Sequence, residues 1–215
     1  ASSWRDAGPA HHRAVLIRAA DEMERQRGDT LALMAHEAAK TIGEGDPEVS
    51  EAIDFARYYG SCIDDLVAAE RRGATFEPFG VVVVASPWNF PYAIPAGGVL
   101  AALAAGNAVV LKPAPEVRRT ALLLAQQLWA AGVPADALQY VACPDDEVGR
   151  HLVTHPGVGA VVLTGAYETA MRFLDWAPSM RLFAETSRQY ALVTAAAAAE
   201  DAAITDLVRS AFGQA

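Results

Sequence analysis

The sequence of 215 residues is poor in cysteine and has no cluster of basic residues. Its two cysteines, Cys62 and Cys143, lie far apart, and the first residues show no charged stretch followed by an apolar run, as a signal peptide would. This pattern favours free thiols in a reducing compartment, so we expect a cytoplasmic protein. The formal net charge of −9 argues against nucleic acid as a partner.

The chain also lacks an uninterrupted apolar run long enough to cross a membrane. No charge occurs from Phe79 to Leu111, but prolines, glycines and asparagines interrupt this stretch. A span needs about 20 consecutive apolar residues, so a buried sheet is the better interpretation and no membrane span is expected. Because the first residue is Ala and not Met, we expect the sequence to be a piece of a longer chain.

Two glycine-rich nucleotide-binding motifs are also absent from the sequence. Neither G-x-G-x-x-G nor G-x-x-x-x-G-K-[ST] occurs, so the ordinary Rossmann and P-loop motifs give no support for nucleotide binding. His151 and His155 have an i, i+4 spacing, but no third ligand is evident and Pro156 ends the helix, so no metal site is predicted. Acidic neighbours are expected to raise the pKa of Cys143 and leave it inert.

What the chain does contain is a β-α-β unit with polar residues at both strand ends. Val81–Ala85 and Ala108–Leu111 are short apolar runs bounded by Gly, Pro or Asn, which predicts buried parallel strands joined by a helix over 93–105. Asn89 closely follows the first strand and Lys112 directly follows the second. In open parallel sheets the carboxyl ends of the strands share one crevice, which predicts a site there.

The remaining segments alternate in the same way, which predicts an α/β fold: a Rossmann-like parallel sheet with helices on both faces, preceded by an N-terminal helical hairpin. The hairpin is predicted as helices over 13–39 and 48–69 with a break over 41–47. Further helices are predicted over 116–131, 146–154 and 201–212, and from the turn at Thr164-Gly165-Ala166 to about Asp175. Further strands are predicted over 138–142, 158–163, 181–184 and 191–195. We expect a helical segment over 1–75, a nucleotide-binding domain over 76–184 and the start of a second domain over 185–215.

Four positions have a chemical and a plain structural interpretation. The amide of Asn89 could stabilise an oxyanion, or it could bond the backbone of its own turn. The ammonium of Lys112 could bind a ribose or a phosphate, or it could lie in solvent. Glu185 follows an apolar run, so it is either a general base with a raised pKa or an exposed strand-end residue. Gly165 at a strand–helix turn is weak evidence for a phosphate site. The residues alone leave these alternatives open.

Together these segments resemble the aldehyde dehydrogenase superfamily over nearly the whole chain. The resemblance rests on ordered motifs: Pro87-Trp88-Asn89-Phe90-Pro91, Gly106 to Pro113, Leu163-Thr164-Gly165 and Glu185-Thr186-Ser187. Further stretches at Glu51–Tyr59, Thr164–Ala170 and Ala184–Ser187 are most similar to the L-glutamate γ-semialdehyde (1-pyrroline-5-carboxylate) dehydrogenase branch, which includes the dehydrogenase half of bifunctional proline-utilisation proteins.

The resemblance implies NAD-dependent oxidation of an aldehyde to a carboxylate through a cysteine thiolate, a hydride transfer and hydrolysis of a thioester. It implies that Asn89 stabilises the oxyanion and that Glu185 is the general base. The implied cofactor-binding residues are Pro87, Trp88, Lys112, Glu116, Gly165, Ala166 and Thr169. Glu51 and Phe90 would shape the pocket for a small-molecule aldehyde substrate, and the full-length protein is expected to be a homo-oligomer.

Three positions depart from the pattern of the family. The glutamate that follows Lys-Pro-Ala in the family is replaced by Pro115, and Glu116 comes one residue later. Arg188 stands where the branch has a glycine. The expected nucleophilic cysteine would follow Ala215, so we expect this chain alone to have no turnover. The alternatives are a non-catalytic module for assembly or for covering an active site, and a dehydrogenase for another aldehyde.

Overall fold

The computed structural model describes residues 2–186 and 201–212 and contains one parallel sheet of order β3-β2-β1-β4-β5. The strands are β1 (Val81–Ala85), β2 (Ala108–Lys112), β3 (Leu138–Tyr140), β4 (Ala160–Gly165) and β5 (Leu182–Thr186). Val83 of β1 pairs with Val110 on one side and with Val161 on the other. After β1 the chain adds β2 and β3 on one side of it and then β4 and β5 on the other. This reversal creates a topological switch point between β1 and β4.

Helices cover both faces of the sheet, as predicted. The helices that follow β1 and β2 are α5 (Ala93–Ala104) and α6 (Arg118–Ala130), with a 3-10 turn at Pro115–Val117 before α6. They pack on the face that carries Val82 and Val84. The other face carries Val83 and Ala85 and is covered by α7 (Glu147–Thr154) and α8 (Tyr167–Trp176). Strand side chains alternate between faces, so β1 contributes to two separate cores.

The N-terminal region is helical but is more than a hairpin. It contains α1 (Ser2–Ala7), α2 (Pro9–Arg25), α3 (Arg27–Ala38) and α4 (Ile42–Arg71). Its buried apolar side chains, such as Leu16 of α2 and Ile53 of α4, belong to the same core as Leu100 of α5 and Val82 of β1. The helical region is therefore packed onto the sheet through one continuous core.

Two predictions in this region were wrong. The predicted break over 41–47 is the start of α4, where the backbone N–H of Thr41 donates to Glu44 Oε2 (2.9 Å). Pro47 lies in the second turn and removes only the backbone bond to Gly43, which this capped helix end tolerates. The predicted single helix over 13–39 is divided at Gln26, whose φ of −103° departs from helical geometry.

Element boundaries shift by one to two residues elsewhere, and α9 occupies Asp201–Phe212 as predicted. The most consequential shift concerns Glu185, which was expected just beyond a strand but lies inside β5, opposite Thr164 of β4. The predicted strand over 191–195 and Arg188 lie outside the described residues. Among the helices of residues 2–186 and 201–212, none is long and apolar enough to cross a membrane.

The first prediction concerns Gly159, just before β4. Its backbone N–H donates to Val81 O (2.8 Å), and a Cβ there would lie 1.9 Å from Phe79 O. We expect Gly159→Ala to lower the free energy of unfolding by about 3 kcal/mol, because backbone must move to admit the methyl group. Chemical denaturation measures this.

The matched control is Gly28→Ala near the start of α3, where a Cβ would meet no atom within 4 Å. That variant should gain about 0.5 kcal/mol from helix propensity. Equal stability of Gly159→Ala and the parent would show that β1 and β4 are not packed as described.

Candidate active site

A buried carboxylate holds the start of α5 and the turn before it. Glu48 of α4 is 3% exposed, and its Oε1 accepts hydrogen bonds from the backbone N–H groups of Tyr92 (2.8 Å) and Ala93 (3.0 Å). No side chain of the N-cap residue itself, Tyr92, caps α5. The N-terminal backbone N–H groups of a helix need hydrogen-bond acceptors, and here the carboxylate of Glu48 in α4 is that acceptor.

The same carboxylate is paired with the buried ammonium of Lys40. Lys40 Nζ lies 4.3 Å from the centroid of the Phe90 ring, a cation–π distance. Lys40 and Glu48 therefore contact both ends of the segment from Phe90 to Ala93. Since Asn89 directly precedes this segment, the pair limits where the Asn89 amide can lie.

Further polar contacts extend this network into α6. The Tyr92 hydroxyl donates to Gln127 Oε1 (2.6 Å), and Gln127 Nε2 donates to Thr30 Oγ1 (3.1 Å). Burial strongly raises the pKa of Tyr92, so its phenol stays protonated and available as a donor. The network ties three helices to the start of α5, and among the described residues no buried side-chain nitrogen or oxygen lacks a hydrogen-bond partner.

A cavity of about 620 Å³ lies at the carboxyl ends of β1, β2 and β4, and we call it the Lys112 cavity. It brings together nine of the eleven predicted site residues: Pro87, Trp88, Asn89, Phe90, Lys112, Glu116, Gly165, Ala166 and Thr169. These residues come from three strand ends that are distant in sequence. The crevice expected from the β-α-β unit is therefore present, on the side of the sheet edge where α7 and α8 begin.

The lysine of this cavity is nearly buried and forms an ion pair. Lys112, the last residue of β2, is 7% exposed, and its ammonium is bonded to the carboxylate of Asp145. Nearby Cys143 is also buried, and burial is the main reason its pKa is raised, with smaller contributions from Asp145 and Asp146. A protonated, buried thiol is a poor nucleophile, which agrees with the prediction that Cys143 is inert.

The amino end of α8 lines the Lys112 cavity and has no capping side chain. Its N-cap residue, Ala166, has no side chain that could accept a backbone hydrogen bond. A Cβ at Gly165 would meet only Leu163 Cδ1, at 3.7 Å, so the packing of the chain does not itself require a glycine there. An absent side chain beside a helix amino end leaves room for a phosphate to approach the backbone.

The other two predicted residues, Glu51 and Glu185, lie in a second cavity of about 900 Å³, which we call the Glu185 cavity. Both cavities are lined by Phe90, Ile94, Leu163 and Thr164, which form the wall between them. Glu185 is exposed, so the plain structural interpretation of its position, an exposed carboxylate, describes this structure. Asn89 and Glu185 therefore approach the wall from different cavities.

Sequence reasoning missed Lys40, Glu48 and Asp145. A signal for Glu48 was available: it precedes Ala52 and Ala56 at i, i+4 spacing. This spacing places its carboxylate on the buried face of the helix. Asp145 gave no signal, because it meets Lys112 across 33 residues. Among the described residues, no group of three or more His, Cys, Asp or Glu side chains could hold a metal ion.

Comparison with known proteins identifies the family to which this chain belongs. The model of the aldehyde dehydrogenase family matches residues 1–215. The chain therefore belongs to the aldehyde dehydrogenase family, as the resemblance indicated.

Among its relatives, the chain is 36% identical to 1-pyrroline-5-carboxylate dehydrogenase of Geobacillus thermodenitrificans, over 98% of this chain and 44% of that protein. It is 52% identical to the structure of proline utilization A from Corynebacterium freiburgense, with a TM-score of 0.78 over 84% of this chain and 18% of the other. An NAD-dependent benzaldehyde dehydrogenase from Corynebacterium glutamicum is 28% identical, with a TM-score of 0.78 over 86% of this chain and 43% of the other. The chain thus spans less than half the length of these proteins.

The second prediction tests the buried pair. Glu48→Gln retains an amide oxygen for the α5 amides but removes the negative charge beside Lys40. We expect the free energy of unfolding to fall by about 3 to 5 kcal/mol, because a buried ion pair loses one partner. Urea denaturation followed by circular dichroism gives this value.

The matched control is Asp54→Asn on the same helix, whose exposed carboxylate lies 3.9 Å from Arg57. That change should stay within about 0.5 kcal/mol. A decrease in the free energy of unfolding of only this size for Glu48→Gln would contradict the role assigned to the Lys40–Glu48 pair.

Proposed function

We propose that the protein containing this chain oxidises L-glutamate γ-semialdehyde to glutamate with NAD, as a step of proline catabolism. The observation that carries the proposal is the convergence of Asn89, Lys112 and the amino end of α8 on one cavity. Family membership and the relatives named 1-pyrroline-5-carboxylate dehydrogenase support the choice of reaction. The free thiols of Cys62 and Cys143 support the proposal of a cytoplasmic protein.

In this proposal the Lys112 cavity holds the cofactor. Its volume of about 620 Å³ and its mixed apolar and charged walls suit a nucleotide. Lys112 and Glu116 would bind the hydroxyls of the adenosine ribose, and Gly165, Ala166 and Thr169 would surround the pyrophosphate at the amino end of α8. Pro87 and Trp88 would form the adjoining wall. When bound, NAD supplies the hydride acceptor for the oxidation.

The reacting aldehyde would lie near the wall shared by the two cavities. There Asn89 would donate its amide hydrogen to the oxygen of the aldehyde as negative charge develops on it. Glu185 would approach from the other cavity and take a proton from the hydrolytic water. Phe90 and Glu51 would limit the shape of the substrate pocket. Neither Cys62 nor Cys143 lines either cavity, so the proposal does not use them as nucleophiles.

The proposal retains the expected arrangement of the chain: a helical segment over 1–75, a cofactor-binding domain over 76–184 and the start of a catalytic domain over 185–215. The intact protein is proposed to be a homo-oligomer.

A second candidate substrate class is an aromatic aldehyde. The Glu185 cavity has aromatic walls from Phe55, Tyr59, Phe79 and Phe183 as well as Phe90. One structural relative is named as a benzaldehyde dehydrogenase. Comparing kcat/KM of the intact protein for glutamate semialdehyde and benzaldehyde separates the two candidates. Ordinary NAD binding without turnover of either would favour the non-catalytic module.

The third prediction tests the cofactor site by calorimetry on the 215-residue chain. Lys112→Met keeps the length of the side chain but removes the charged donor. We expect the Kd for NAD to rise about tenfold, the effect of losing one hydrogen bond from a charged group. The control Arg71→Met removes an exposed cation at the end of α4 and should leave the Kd unchanged. Equal affinity of the Lys112 variant and the parent would contradict the assignment.

The fourth prediction tests Asn89 in the intact protein. We expect Asn89→Ala to lower kcat for glutamate semialdehyde by about 100-fold to 1000-fold, with little change in the Kd for NAD, because an oxyanion donor acts in the transition state. NADH formation measures the rate. The control Gln139→Ala removes an exposed amide outside both cavities. A variant that binds NAD less tightly but retains its kcat would assign Asn89 to the cofactor site instead.

A further inference from the structure

Three acidic and three basic side chains line the Lys112 cavity. Glu116, Asp145 and Asp146 line the cavity together with Lys112. These three carboxylates come from two loops that follow β2 and β3. A ligand group placed beside Lys112 therefore meets negative charge as well as the ammonium.

The three carboxylates make different contacts. Asp146 is the N-cap of α7, and its Oδ1 accepts the backbone N–H of Val148 (2.8 Å). Within the described part of the chain, Glu116 makes no ion pair with Lys112. Asp145 is the carboxylate that contacts the Lys112 ammonium, although its side chain is 62% exposed. It therefore faces both the lysine and the open space of the cavity.

Close backbone packing fixes the loop that carries Asp145. A Cβ at Gly149 of α7 would lie only 2.8 Å from Pro144 O and 4.0 Å from Lys112 Cε. The absence of a side chain at Gly149 lets the loop and the lysine pack directly against α7. The carboxylate of Asp145 is thus held beside Lys112 by backbone as well as by the ion pair.

We propose that Asp145 makes this chain select NAD over NADP. This inference rests on the proposed function, in which Lys112 contacts the adenosine ribose. A carboxylate beside a ribose accepts a hydrogen bond from its 2′-hydroxyl, whereas a 2′-phosphate brings a second negative group to the same place. The structure offers Asp145 for this role from the loop after β3, where it contacts Lys112.

Two arginines also line the cavity, but within the described residues neither forms an ion pair with Asp145. Arg150 lies over the Trp176 ring at 5.7 Å, and its Nη1 lies 3.6 Å from Glu147 Oε2. Arg172 belongs to α8, three residues after Thr169. Lys112 is therefore the cation that Asp145 neutralises.

The experiment measures the Kd values of the 215-residue chain for NAD and NADP by calorimetry at fixed ionic strength. We expect the parent to prefer NAD and Asp145→Asn to reduce the ratio of the two Kd values about tenfold, because one like charge is removed from beside the 2′-phosphate. Asp145→Glu retains the charge and should retain most of the preference. It also tests the proposal if Asp145→Asn fails to fold.

The control Asp175→Asn removes an exposed carboxylate from α8 outside the cavity and should leave the ratio unchanged. An unchanged ratio in Asp145→Asn would overturn the inference while leaving NAD binding intact. Failure of the folded parent to bind either dinucleotide would instead overturn the proposed function, and the inference with it.

Discussion

The carboxylate of Glu48 joins the two halves of this chain. It lies in the helical region, yet it bonds the two backbone amides that begin α5 and pairs with Lys40, which in turn contacts the Phe90 ring. A charge taken out of water is stable only when its partners are held in place. The segment from Phe90 to Ala93 is therefore held by the helical region. The N-terminal helices thus help to shape the candidate site.

The order of the strands determines where the two cavities lie. The β1 strand is central, its neighbours on both sides arrive by crossovers in opposite directions, and the residues that follow it occupy the switch point. The Lys112 cavity opens where α7 and α8 begin, and the Glu185 cavity adjoins α5. Phe90 and Ile94 separate the Lys112 cavity from the Glu185 cavity, so chemistry that needs groups from both must occur at their shared wall.

The sequence carries enough local information to predict β1, β2, α5 and α9, because β-branched runs, helical periodicity and flanking Gly or Pro act over a few residues. It also places Asn89 and Lys112 together, since the carboxyl ends of parallel strands share one edge. It does not reveal the contact of Asp145 with Lys112 or those of Glu48 with the start of α5, which join residues 33 to 45 positions apart. It misplaces Glu185 because backbone pairing with Thr164 extends β5 regardless of side-chain polarity.

The central claim is that the Lys112 cavity is the dinucleotide site of this chain. An NMR titration of the isotope-labelled chain with NAD tests it directly, because amide shifts report which residues meet the ligand. The account predicts saturable shifts at residues 86–90, 112–116, 145–150 and 164–169, with smaller changes on the helical region. Shifts confined to the Glu185 cavity around Glu51 and Phe183, or no shifts from a folded chain, would contradict it.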